Sequence, residues 1–158
     1  MKSRLVRILA TVAAPLLLGG CQTLRAAWGL PQVPACSGVA LPAAALPGGD
    51  FRVREQVRMT AEDVEVRLTL VVERRGGRMV GIGLNEFGAT LFTLVQEGGR
   101  VKVESDLGGA LQLDPETLWV DWQTARLSRP EAGERIEIRR PGCSHQSVFV
   151  QIERVANG

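Results

Sequence analysis

The sequence has no tyrosine, one histidine and three cysteines among 158 residues, and its aromatic content is 4%. Membrane-spanning β-barrels carry aromatic girdles at both interfaces, and three Trp with four Phe do not supply them. A helix needs about 20 apolar residues to cross a bilayer. The longest apolar run, Ile8 to Leu18, is about half that length, and no later segment exceeds it. No glycine-rich segment leads from a strand into a helix, as phosphate-binding loops do. An excess of positive charge is also missing. Lys2, Arg4 and Arg7 account for three of the 19 basic residues, so the rest of the chain carries 16 against 17 acidic ones. That balance has no electrostatic footprint for nucleic acid.

The first 20 residues have the layout of a secretory leader, with three positive charges before an apolar segment. The segment ends in Leu18-Gly19-Gly20-Cys21, which resembles a bacterial lipobox: an aliphatic residue, two small residues and a cysteine that takes a diacylglyceryl group. The competing reading is ordinary secretion with an incidental Cys21. One acyl chain binds a membrane only marginally, but two or more hold stably, so a lipidated Cys21 tethers the whole domain. Gln22 stands where, by the same resemblance, an Asp would often retain the protein at the inner membrane. The expected location is the outer membrane, with the domain facing the periplasm.

With Cys21 assigned to lipid, Cys36 and Cys143 remain as an even pair in an oxidising compartment, and a disulfide between them is expected. Two free buried thiols are the alternative. One His and these two cysteines make no spaced zinc set, so neither metal nor cofactor is expected.

Residues 21–50 hold Pro31, Pro34, Pro42 and Pro47 among many alanines and glycines, which suits a lipidated tether and an irregular lead-in, with a short helix near Thr23–Trp28. From Phe51 to the end, residues 51–158, the pattern changes to period two, the mark of half-buried strands. Val64, Val66, Leu68, Leu70 and Val72 share one face of the clearest strand. Gly76-Gly77 then suits a tight hairpin, and Met79–Leu84 follows with Val80, Ile82 and Leu84 on one face and Gly81 and Gly83 on the other. Further strands are expected at Phe51–Met59, Thr90–Gln96, Arg100–Glu104, Glu134–Arg140 and Ser147–Val155, with glycine turns at Gly98-Gly99 and Gly108-Gly109. Short spacing and tight turns argue for an antiparallel sheet. Asp114 as N-cap and Pro115 at the first helical position predict a helix to about Leu127, with Leu118, Trp122 and Ala125 on its apolar face and Trp119 alongside.

The segment Leu84-Asn85-Glu86-Phe87-Gly88-Ala89-Thr90-Leu91-Phe92-Thr93-Leu94, followed by a helix and a closing hairpin, resembles an uncharacterised family of bacterial envelope lipoproteins similar to the LolA and LolB lipoprotein carriers. The resemblance implies a mainly β fold, an antiparallel, strongly curved and incomplete β-barrel with a helical lid. It also implies a groove that holds acyl chains of a lipid or lipoprotein cargo in transit, with a periplasmic carrier protein as a possible partner. The candidate lining is Val66, Leu68, Leu70, Val80, Ile82, Phe92 and Leu94, with Trp119 and Trp122 on the lid side. Burying about 14 methylenes at ~0.8 kcal/mol each would hold such a chain without polar recognition. For each residue alone a place in a closed core is the commoner role, and the two tryptophans serve equally well as helix anchors. LolB-like receptors engage the membrane through an exposed apolar loop residue. Phe87 stands in about that place, with packing into the core as its alternative.

Cys143-Ser144-His145 brings a thiol, a hydroxyl and an imidazole together, but neighbours in a turn rarely aim at one another, and a nucleophile and its base normally come from separate elements. No enzymatic activity is expected, and Glu116 and Asp121 read as solvated surface charges. Two functions remain: an outer-membrane lipoprotein that binds acyl chains in a groove, or an adaptor lipoprotein whose closed β core recruits a protein partner.

Overall fold

The structure, a computed structural model, describes residues 32–42, 45–46, 49–105, 111–128 and 135–156. Cys21 with its leader, the helix expected at Thr23–Trp28 and the Gly108-Gly109 turn lie outside these residues.

Seven strands and one helix follow each other as β1 (Phe51–Ala61), β2 (Val64–Arg75), β3 (Arg78–Leu84), β4 (Thr90–Glu97), β5 (Arg100–Glu104), α1 (Pro115–Ser128), β6 (Arg135–Ile138) and β7 (Gln146–Ala156). All neighbouring strands pair antiparallel, in the order β5-β4-β3-β2-β1-β7-β6. The antiparallel sheet and single major helix match the sequence pattern. The sheet is open, with β5 and β6 as its edges, and does not close into a barrel. At the β2–β3 hairpin Gly76 takes φ 55°, a left-handed conformation that glycine adopts at no steric cost. Its amide donates to the Asp50 carboxylate at 2.7 Å.

Antiparallel register puts facing residues on the same side of the sheet. Val57 lies opposite Leu68 on one flank and Phe149 on the other, Leu70 opposite Gly83, and Gly83 opposite Phe92. This shared face is buried, and α1 covers it with Leu118, Trp119, Trp122 and Ala125. Strand β3 corrects the expected facing. Its buried positions are Met79, Gly81 and Gly83, while Val80, Ile82 and Leu84 lie half-buried on the opposite face. The two glycines face inward because bulky rings occupy the space above them: a Cβ on Gly81 would lie 2.8 Å from the Trp119 ring, and one on Gly83 would lie 2.3 Å from the Phe92 ring.

The helix begins as its sequence predicts. The Asp114 carboxylate accepts from the Thr117 amide at 2.9 Å, satisfying a donor that has no partner within the helix. The described residues of the lead-in belong to the same compact unit as the sheet and helix. Val33 and Leu46 are buried in the core. The Val33 amide donates to the Gln112 carbonyl, and the Cys36 amide to the Thr117 hydroxyl. Residues 32–42 thus strap the outer side of α1, leaving the helix enclosed between strap and sheet.

Candidate functional site

The expected groove coincides with the contact between α1 and the sheet. Val66, Leu68 and Leu70 on β2 and Phe92 and Leu94 on β4 all face it and are buried. Trp119 and Trp122 meet them from the helix, stacked with ring centroids 5.0 Å apart, and Phe51 packs against Trp122. Val80 and Ile82, on the other side of the sheet, take no part. The protein's own side chains fill the centre of the interface, and an open hollow of about 410 Å³ borders it where Trp119 and Val120 of α1 meet Val101 of β5 and the strap. Among the described residues, the hollow that Trp122 lines with Phe51, Val53, Leu46 and Arg126 measures about 20 Å³. That is the room one water needs, far less than an acyl chain.

Polar residues that the sequence reading did not single out hold the helix from both sides. Gln96 on β4 accepts from the Trp119 indole at 2.5 Å and from the Gln123 amide at 2.9 Å, and donates to the Leu41 carbonyl. Gln123 completes a two-way contact with the strap, accepting from the Leu41 amide at 2.8 Å and donating to its carbonyl at 2.9 Å. Strand parity contained the signal for two inward polar groups. Gln96 continues the inward series Phe92, Leu94, and Glu55 interrupts the series Val53, Val57, Met59.

Asp121, expected on the surface, is buried, with 1% exposure. Its carboxylate accepts from Arg140 Nε at 2.5 Å, Ser147 Oγ at 2.5 Å and His145 Nε2 at 2.8 Å. Ser147 and His145 both address Oδ2 of Asp121 rather than each other, so the three do not form a nucleophile–base–orienter relay. Arg140 extends the cluster to the strap by donating to the Ser37 carbonyl at 2.7 Å.

Near the C-terminal end of α1, Glu55 is fully buried and paired with Arg126. Burial pushes the Glu55 carboxyl above its ordinary value, because the charged form loses its hydration. The Arg126 guanidinium pulls the other way with less effect. Arg126 engages Glu55 through Nη2, while its buried Nε and Nη1 find no partner among the described residues.

Cys36 and Cys143 form a disulfide, with Cα atoms 5.6 Å apart, that fastens the strap to the turn before β7. Phe87 is 93% exposed on the β3–β4 turn. The Asn85 side chain shapes that turn, its Oδ1 accepting from the amides of Phe87 and Ala89 at 3.0 and 2.9 Å.

No curated protein matches the chain. Residues 52–139, from β1 through β6 with the helix between them, match the family described as "Protein of unknown function (DUF3261)", leaving the strap and β7 outside the match. The chain belongs to the DUF3261 family.

Proposed function

We propose that this protein is an envelope lipoprotein, acylated at Cys21 and held at the outer membrane with its domain in the periplasm, that acts as an adaptor through its outer surface. The observation that carries this reading is the filled contact between α1 and the sheet, where Trp119, Trp122 and Phe92 occupy the space a guest would need. The Cys36–Cys143 disulfide supports an oxidising compartment. Exposed Phe87, held on a hydrogen-bonded turn, supports a contact made outside the core, either with the membrane or with a protein partner.

Acyl-chain binding of the LolA and LolB kind is the second reading. Its support is the continuous apolar lining from Val66 to Leu94, and it requires α1 to leave its seat and break the Gln96 and Asp121 contacts. Native mass spectrometry of the purified chain and titration with a fluorescent fatty acid separate the two. The adaptor reading expects no retained lipid and no saturable binding, whereas one lipid held per chain would replace it with the carrier.

A further inference from the structure

A second concavity, of about 540 Å³, lies on the face of the sheet away from α1. Its walls carry Arg54 and Arg58 from β1, Arg67 from β2 and Arg135 from β6, with Glu86 contributed by the β3–β4 turn and Val148 by β7. Register explains the gathering. Arg58 lies directly opposite Arg67, and Arg135 pairs with Val150, the β7 neighbour of Gln56.

Two of the four guanidiniums are partnered. Glu65 holds Arg67 at 2.5 Å and Glu137 holds Arg135 at 2.7 Å, both at the exposed surface. Arg54 and Arg58 form no hydrogen bond or ion pair among the described residues. Glu153 faces Arg54 only in register, and Arg58 acts on Glu137 only through space, helping to lower that carboxyl. Like charges directly opposite on neighbouring strands destabilise a sheet. Glu65 on Arg67 and Glu137 near Arg58 offset part of the Arg58–Arg67 repulsion, and the local conflict that remains is of the kind that concentrates at functional sites.

We propose that this concavity binds a phosphate-bearing anion, with Arg54 and Arg58 as the principal ligands and Arg67 and Arg135 adding positive field from the walls. The planar guanidinium fork donates two parallel hydrogen bonds to phosphate oxygens, and an anion between Arg58 and Arg67 turns their repulsion into shared attraction. The site is separate from the helix-to-sheet contact, so it holds whichever way α1 behaves. The phosphate comes either from a soluble ester or from a phospholipid headgroup.

The test uses the full chain, with inorganic phosphate and glycerol 1-phosphate titrated in solution and, separately, vesicles of phosphatidylglycerol compared with phosphatidylcholine. Saturable binding in solution assigns the source to a soluble phosphate. Binding confined to phosphatidylglycerol vesicles assigns it to a headgroup. In either case the double variant Arg54→Thr, Arg58→Thr loses about tenfold or more in affinity. It keeps a melting temperature close to the parent's, because neither arginine holds a hydrogen bond or ion pair among the described residues. Parent and variant share the same N-terminal segment, so any membrane affinity it supplies cancels in the comparison. Binding to neither probe, or affinities in the variant within about twofold of the parent, overturns the proposal.

Discussion

Gly81 lies beneath the indole of Trp119, so close that a Cβ there would stand 2.8 Å from Cζ3. The ring cannot retreat, because its other side stacks on Trp122 and its N–H is committed to Gln96. Gly81→Ala should therefore destabilise the protein by roughly 1–3 kcal/mol, the usual range for overpacking. Gly77→Ala has open space around its Cβ and should change little. Urea denaturation of the two variants checks the difference, and equal stabilities would mean that the helix shifts freely over the sheet.

The same contact shows what the sequence could and could not reveal. Strand positions, hairpins and the Asp114 cap were legible, since period-two alternation and turn glycines act locally. The inward face of β3 was not. Val80, Ile82 and Leu84 make the alternating apolar series, but what faces inward there is decided by rings arriving from β4 and α1, far along the chain. Asp121 misled for a related reason. A charge on a helix reads as solvated until a second layer covers it, and here the strap, with Arg140 and His145, supplies that layer. The arginine concavity needs the β1–β2 and β6–β7 registers together, which no single segment encodes.

The buried Glu55–Arg126 pair should make stability depend on pH in a particular direction. Burial holds the folded Glu55 carboxyl above its unfolded value. Its contribution is therefore fully present below the unfolded value and is lost as pH rises through the folded one. Arg126→Met removes the compensating charge and raises the folded value further. The variant should lose about 3–5 kcal/mol near neutrality, the range for breaking a buried pair, and less near pH 4, where Glu55 takes a proton. Adding Glu55→Leu to Arg126→Met should recover most of the loss. Melting curves from pH 4 to 8 read this out, and a deficit that grows on acidification would contradict it.

Glu62, in the β1–β2 turn, holds φ 49°, a left-handed conformation that costs a side-chain-bearing residue about 1 kcal/mol or more. The side chain is exposed, so replacing it removes little packing. Glu62→Gly and Glu62→Asn should each raise the melting temperature by a few degrees, about 0.5–1 kcal/mol. A fall with both variants would show that the Glu62 side chain has a role the turn geometry does not reveal.

At the β3–β4 turn, side-chain loss and turn loss should separate. Phe87 contributes almost no burial, so Phe87→Glu should leave the unfolding free energy within about 0.5 kcal/mol of the parent. Asn85→Ala removes the acceptor for two amides and should cost about 1 kcal/mol. If Phe87 meets a membrane, Phe87→Glu also reduces liposome association. A large stability loss from Phe87→Glu would mean that the ring is packed.

The Cys36–Cys143 disulfide closes a sequence separation of 107 residues and restrains the unfolded chain accordingly. Cys36→Ser with Cys143→Ser should cost about 2–5 kcal/mol. The native fold persists without it, because Leu41 still bonds Gln123 and Arg140 still bridges Asp121 to the strap. The double variant should therefore melt cooperatively, on the order of 10 °C lower. Proteolytic cuts should appear first around residues 34–40, where the strap then depends on hydrogen bonds alone. An unchanged midpoint under reducing and oxidising conditions would mean that the polar contacts fix the strap before the sulfurs do.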